Sequence, residues 1–488
     1  MTEDIVSTGV AGLDVILDGG LPRRQAIVVT GEPGSGKTIL CSQMAFSFAA
    51  RGMPVVIATV TSEPHEKLVA ALRGFSFFDP ARVGEEVFFV SAYPWLKKSP
   101  KEAREMLLAA VRERGAKMLF IDGLRSIRDL WQNEPLLREF LYDLNVGLSV
   151  ADCIGLFSTE YPLARLLELP EATTVDGIVS MSTFADGARS FRRAEVHKLR
   201  GRAHKAGTHV ATIGKEGVNI IPRLESVVQP ADRAMPPSDR LSFGLVELDA
   251  LLNGGLPRNS TTLVAGSTGV GKTLLAAHFV AAGVEAGERS LVFSFFEPPA
   301  NIIQRARRVG LDLEEAIASG QVQIEYHPPL EWEADVMVDH ILRSVRERKV
   351  TRLVIDSVVG LEQTISDKTR ASSFYNALVV ALRGLGVTTL LTKEVSKLAG
   401  PELDFSDTPI TVAIENFVFL RFVELRGRLH RILSVLKMRD SEYDGDVREF
   451  SIAEAGFRVL APVSSAEGLL TGMARAVGTS VAPEGARE

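Results

Sequence analysis

A chain of 488 residues, 46% hydrophobic and 24% charged, has room for two or three soluble globular domains, each with its own core. Its net charge of −6 gives no overall attraction to nucleic acid or to an anionic membrane, although a local basic stripe stays open. Cys41 and Cys153 are the only cysteines, so no disulfide framework is implied and a reducing cytoplasm is expected; without a long apolar run or a basic leader, neither membrane insertion nor secretion is supported.

From the N-terminus, TGVAGLDVILDGGLPRRQ (8–25) leads into AIVVT (26–30), a short β-branched strand candidate. GEPGSGKT (31–38) follows and opens TILCSQMAFSFAARG (38–52), an alanine-rich helical run ended by glycine. The pattern G-x-x-x-x-G-K-[ST] between a strand and a helix is a phosphate loop. Gly31, Glu32, Pro33, Gly34, Ser35 and Gly36 would turn backbone N–H groups around a phosphate chain. Lys37 would reach the β- and γ-phosphates of a nucleoside triphosphate, and the Thr38 hydroxyl would bind the accompanying Mg²⁺. Further on, KMLFIDG (117–123) ends an apolar run at Asp122, where a P-loop ATPase holds its Mg²⁺ through a strand-end carboxylate. VVQPADRAMPPSDR (227–240), rich in proline and charge and without period, reads as a linker.

The series then repeats. SFGLVELDALLNGGLPRNS (242–260) precedes TTLVA (261–265), then GSTGVGKT (266–273), then TLLAAHFVAAGVEAG (273–287), and RLVIDSV (352–358) places Asp356 where Asp122 stood. Lys37 and Lys272 are 235 residues apart (272 − 37), and so are the two GGLP tetrapeptides (254 − 19). Gly266, Ser267, Thr268, Gly269, Val270, Gly271, Lys272 and Thr273 take the nucleotide-binding roles of the first loop, and Thr273 and Asp356 the Mg²⁺ roles. A period this long means duplication of a whole domain rather than a solenoid. Strands alternating with helical runs predict an α/β fold with two tandem domains, each a mostly parallel sheet flanked by helices. The expected division is 1–226, a linker at 227–240, 241–460, and a flexible tail at 461–488.

These loops, the GGLP before each, and the segments VHKLRGRAHKAGTHVATI (196–213) and VELRGRLHRILSVLKMRDSEYDGDVREFSI (423–452) together resemble the KaiC family of RecA-like ATPases over roughly residues 1–460. The resemblance implies two RecA-like domains, ATP with Mg²⁺ at subunit boundaries, a homo-hexameric ring and regulatory protein partners that the sequence does not identify. It also implies that Lys198 and Arg200 of KLR, and Lys437 and Arg439 of KMR, act in trans on the neighbouring subunit's nucleotide, where a cation stabilises phosphoryl-transfer charge. Read from the residues alone, these are solvated basic strand edges. The histidines His197, His204 and His209 have the spacing of no common zinc site.

The family places two adjacent glutamates at the end of the strand after the first helix, where a carboxylate can orient or deprotonate the attacking group. In FSFFEPP (293–299) Phe296 replaces the first and Glu297 keeps the second. In IATVTSEP (57–64) Thr61 and Ser62 fill the pair and Glu63 comes one residue late, a weaker candidate that a strand bulge could bring into place. An adjacent Ser-Thr phosphoacceptor pair is also implied. Counting back from FVELRG (422–427) puts Thr411 and Val412 there, and Val412 has no hydroxyl. Phosphate on Thr411 would face Arg421 and Arg426, yet the residue itself reads rather as a β-branched strand residue with no acceptor role. Three functions therefore stay open: a ring-forming ATPase switch with or without serine/threonine autokinase activity, a RecA- or DnaB-like DNA-dependent ATPase, and an ATP-binding scaffold without turnover. After Asp122 the residues suited to single strands are Arg125, Arg128 and Trp131, too few for an evident nucleic-acid surface.

Overall fold

The computed structural model describes residues 5–60, 65–228, 239–395, 409–425, 427–439, 441–454 and 456–462, with short backbone stretches at 466–467 and 475–476. The chain divides into two units, Met1–Val227 and Val228–Glu488. In the first, nine strands form one sheet: β1 (Ala26–Thr30), β2 (Val55–Thr59), β3 (Val87–Ser91), β4 (Met118–Asp122), β5 (Ile154–Thr159), β6 (Gly177–Asp186), β7 (Arg189–Leu199), β8 (His209–Gly214) and β9 (Gly217–Ile221). Their order is β9-β8-β7-β6-β1-β5-β4-β2-β3. The second unit holds β10 (Thr261–Gly266), β11 (Ser290–Ser294), β12 (Val322–Tyr326), β13 (Arg352–Asp356), β14 (Thr388–Glu394), β15 (Asn416–Leu425), β16 (Arg428–Met438), β17 (Arg448–Ala453) and β18 (Gly456–Pro462) in the same order, β18-β17-β16-β15-β10-β14-β13-β11-β12. The α/β class and the mostly parallel sheets agree with the sequence reading.

The parallel strands are β6-β1-β5-β4-β2-β3 and their counterparts. Runs such as VVIAT and MLFID are apolar almost throughout because both faces are covered. Alternation along β1 divides the work: Ile27 and Val29 pack with Leu40, Cys41 and Met44 of helix α1 (Lys37–Ala50), while Val28 faces Leu107, Leu141 and Leu144 on the opposite side. Cys41 and Cys153 are buried free thiols. The rest of each sheet is antiparallel, and it is formed by the terminal segments that carried the family resemblance.

The repeated GGLP has a structural cause. Leu21–Pro22 pairs with Ile5–Val6, and Leu256–Pro257 pairs with Arg240–Leu241. A Cβ on Gly20 would lie 2.4 Å from the Val6 carbonyl oxygen, and one on Gly255 would lie 2.4 Å from that of Leu241. Asp14 accepts from the Thr8 N–H at 2.7 Å, and Asp249 accepts from the Phe243 N–H at 2.8 Å, so the repeated Leu-Asp pins each turn.

Arg352 opens β13 at 2% exposure. Its guanidinium donates to Glu288 and, at 2.8 Å each, to the carbonyls of Ser242 and Phe279. Glu288 also pairs with Arg258 at 2.8 Å, so losing Arg352 leaves the carboxylate one partner. Arg352→Met should therefore cost about 3 kcal/mol, the low end for breaking a buried pair. Denaturant unfolding of the second unit measures it; a change below about 0.5 kcal/mol, typical of surface sites, would contradict this account.

Candidate nucleotide site

Each phosphate loop joins the end of a central strand to a helix, α1 in the first unit and α2 (Lys272–Glu285) in the second. Gly31 sits at φ +149°, and a Cβ there would meet the Met181 carbonyl oxygen at 1.9 Å. At Gly266 it would meet that of Leu420 at 2.2 Å. Each loop thus lies directly against the neighbouring strand, β6 or β15. Gly36 and Gly271 stand immediately before the helices with positive φ. No side chain caps either helix, as none caps the 14-residue helix Ala371–Gly384, whereas Ser99, Asn133 and Glu333 cap Pro100–Arg114, Glu134–Val150 and Ala334–Arg348. Uncapped first-turn N–H groups behind a glycine turn are a ready anion site.

Both loop lysines lie over their own loops. Lys37 Nζ donates to the Glu32 carbonyl at 2.8 Å, and Lys272 Nζ to those of Gly266 at 2.9 Å and Ser267 at 2.8 Å. Burial pushes both ammonium groups below the ordinary lysine range, opposed chiefly by Glu160 for Lys37 and Glu394 for Lys272. Ser35 Oγ is buried without a hydrogen-bond partner. Glycines a Cβ would disrupt, an orphaned hydroxyl in the first loop, uncapped helix N–H groups and a lysine ammonium lying over each loop fit a polyphosphate.

The strand-end carboxylates stand beside these loops. The Thr38 hydroxyl lies 3.4 Å from both Asp122 oxygens, and Ser158 Oγ donates to Asp122. In the second unit Thr392 Oγ1 donates to Asp356. A threonine hydroxyl facing a carboxylate is a donor set of the kind Mg²⁺ takes. Sequence reasoning missed Ser158, Thr392, Glu160 and Glu394, although the repeat offset would have found them: STE (158–160) and TKE (392–394) end β5 and β14 alike.

Burial pushes the Asp122 carboxyl above the usual range, against the opposing hydrogen bonds from Ser158 and Thr38 and the charge of Lys37. A carboxyl whose folded pKa is raised binds more protons folded than unfolded, so it removes stability as pH rises from the ordinary aspartate value near 4 through the folded value. Asp122→Asn should therefore gain stability relative to the unaltered chain across that window when nucleotide is absent. Thermal unfolding at stepped pH measures it; an unchanged or widening deficit for Asp122→Asn would contradict the assignment.

The structure places the carboxylate candidates unequally. Glu297 follows β11 closely; its N–H donates to Ser294 Oγ at 3.2 Å, the same hydroxyl donates to its carbonyl at 2.8 Å, and Arg305 pairs with its carboxylate at 3.0 Å. Its Oε2 is buried without a hydrogen-bond partner. Phe296 beside it is half exposed. Glu63, with Thr61 and Ser62, lies outside the described residues.

The basic segments share a device that sequence could not reveal. β6 and β7 slip register between Ile178 and Val179, and β15 and β16 slip between Phe417 and Val418, so Lys198 and Lys437 stand at matching bulges. Lys198 Nζ donates to the carbonyls of Ala172 at 2.8 Å and Val175 at 2.7 Å, and Lys437 Nζ to that of Ile414 at 2.7 Å. Burial and then the neighbouring arginine, Arg200 or Arg439, hold each lysine below its ordinary range. Both arginines are exposed, Arg200 with a 3.3 Å contact to Asp176. Two of the three histidines serve internal bonds: His209 accepts from the Arg223 N–H at 2.9 Å, and His197 Nε2 lies 2.7 Å from Ser180 Oγ, while His204 Nδ1 is buried without a hydrogen-bond partner. Thr411 lies in a helical turn, Ile410–Ala413, and not in a strand; Arg421 is buried, and Arg426 lies outside the described residues.

Among the described residues no helix is long and apolar enough to cross a membrane. The family model described as "ATPase: KaiC" matches twice, over residues 6–225 and 241–464. The circadian clock protein KaiC3 of Synechocystis sp. is 30% identical over 485 residues, covering 96% of this chain and 94% of that protein. The circadian clock oscillator protein KaiC of Synechococcus elongatus is 28% identical over 476 residues, covering 92% of this chain and 88% of that protein. That of Parathermosynechococcus lividus is 27% identical over 485 residues, covering 95% and 87%. Two phosphate loops on two sheets of one topology, matched along nearly the whole chain, make this protein a member of the KaiC family of ATPases, with two KaiC-type domains in tandem.

Proposed function

We propose that the chain forms a cytoplasmic ring of six subunits, binds ATP with Mg²⁺ in both halves, and hydrolyses it slowly and mainly in the second to switch conformation and protein partners. The two domains would be 1–226 and 241–460. The observation that carries this reading is the paired arrangement of uncapped helix, loop lysine and strand-end carboxylate, with Glu297 held just after β11 in the second half. Bound ATP with Mg²⁺ would supply the transferable phosphoryl group and the charge that polarises it.

The residues have separable tasks. The loop N–H groups and Lys37 or Lys272 hold and neutralise phosphate oxygens. Thr38 with Asp122, and Thr273 with Asp356, would hold the metal; Ser158 and Thr392 orient those carboxylates. Glu297, steadied by Arg305, orients the attacking water or takes its proton. Glu63 is the corresponding weaker candidate. Lys198, Arg200, Lys437 and Arg439 would present charge to the neighbouring subunit's nucleotide.

Transfer to Thr411 is the weaker outcome, because Val412 offers no hydroxyl and Phe296 removes the first carboxylate. A DNA-directed role is weakened by how the candidate basic loop is used. Arg128 is bonded to Glu171 at 2.9 and 2.6 Å, and Trp131 Nε1 donates to the Leu96 carbonyl at 2.9 Å. Native mass measurement with and without ATP, followed by a radiolabelled phosphate assay and phosphosite mapping, tests the reading. Six-subunit rings, phosphate release and little phosphothreonine are expected. Nucleotide binding without turnover would favour the scaffold, and salt-sensitive stimulation by single-stranded DNA the DNA-directed ATPase.

A further inference from the structure

Away from the loops, at the edge of the second sheet, Glu325 of β12, His327 just after it and His340 of helix Ala334–Arg348 place one ligand atom each within 4.8 Å of one another. Glu325 and His327 are two residues apart on extended chain and so point the same way. Glu325 Oε2 lies 2.9 Å from His340 Nε2 and 3.5 Å from His327 Nε2. The other oxygen is already engaged: Oε1 accepts from Gln323 Nε2 at 3.1 Å and Ser344 Oγ at 3.2 Å, and Arg348 Nε lies 3.9 Å away. Phe293 stacks on His327 at 4.9 Å between centroids, and Trp332 stands 5.3 Å from the same ring. The carboxylate is thus oriented by supporting residues and aimed at two imidazoles inside an aromatic wall.

The first unit supplies a comparison on the same fold. Ala92 N–H donates to the Thr59 carbonyl as His327 N–H donates to that of Ser294, which makes Ala92 the counterpart of His327. By the same registers Val90 corresponds to Glu325, and along the matching helices Met106 and Ala110 correspond to His340 and Ser344. Val90, Met106 and Ala110 pack against the apolar core there. The fold is stable with four apolar side chains at these places, so the polar set is not required to build it.

We propose that Glu325, His327 and His340 form a binding site for one transition-metal dication of the Zn²⁺ class, two imidazoles and one carboxylate leaving a fourth position open. Nitrogen with carboxylate oxygen is the donor set of such ions, and the bonds from Gln323 and Ser344 are the outer support their sites use. His327 also bonds through its N–H to the carbonyl of Ser294, whose side chain ties down Glu297, so the site adjoins the segment carrying that carboxylate.

The test uses the full chain without nucleotide, stripped by chelator and titrated with ZnCl₂ against a chromophoric competitor, with Co²⁺ as the spectroscopic probe. One equivalent per chain and a tetrahedral Co²⁺ absorption band are expected. His327→Ala and His340→Ala should each weaken Zn²⁺ by at least about 100-fold, the upper end of what losing even a supporting residue costs. His340→Gln, which can still donate to Glu325, guards against loss of folding: it should melt like the unaltered chain yet lose the Co²⁺ band. Absence of stoichiometric binding, or binding indifferent to both histidines, would overturn the site and leave a Glu-His hydrogen-bond cluster; neither result touches the nucleotide sites.

Discussion

Glu297→Gln should lower steady-state ATP turnover by about 10²- to 10⁴-fold, the range for removing a well-placed general base, while ATP affinity stays nearly unchanged. The substitution is isosteric and leaves the N–H bond to Ser294 intact. It removes the charge that Arg305 meets at 3.0 Å and the ability to take a proton. Phe296 offers nothing in its place, and no second carboxylate precedes it. Phosphate release at saturating Mg-ATP together with nucleotide binding separates the two effects. A loss under about tenfold would assign the chemistry to another group, Glu394 at the end of β14 being the nearest in kind.

Lys272→Ala should remove most turnover, whereas Lys37→Ala should chiefly weaken assembly. The two loops are alike in strand, helix, lysine and carboxylate, so both halves should bind ATP. The halves differ where water must be activated: Thr61 and Ser62 stand in the first half at the position that Phe296 and Glu297 fill in the second. In the proposed ring, a bound but slowly used nucleotide would serve mainly as part of the subunit contact. Phosphate release and native mass, measured on both variants, decide it. Lys37→Ala rings that stay whole but no longer hydrolyse ATP would reverse the assignment.

Local chemistry was legible in the sequence wherever a residue's role depends on its immediate neighbours. The loops, Lys37 and Lys272, and Asp122 and Asp356 followed from glycine spacing and from apolar runs ending in a carboxylate. The sheet class followed from alternating strands and helices, and the spatial order then repeats because the domain is duplicated. Roles fixed by partners far along the chain were harder to see. The bulges beside Lys198 and Lys437 depend on how β6 meets β7 and β15 meets β16, which no single strand encodes. Ser158 and Thr392 act because β5 lies beside β4 and β14 beside β13. His340 reaches Glu325 only once a helix crosses the edge strand. Thr411 was misjudged as strand because its β-branch was weighed without Pro409, which begins a turn there.

The central claim is that nucleotide is completed by two subunits of one ring, and mixing variants tests it most directly. Subunits carrying Arg439→Ala keep Glu297, and subunits carrying Glu297→Gln keep Arg439. Each should be nearly inactive alone, while in mixed rings some boundaries join an intact arginine to an intact glutamate. The account predicts that mixing the two, with mixed rings verified by native mass, restores part of the ATP hydrolysis; verified mixed rings that hydrolyse no faster than either variant alone would contradict it.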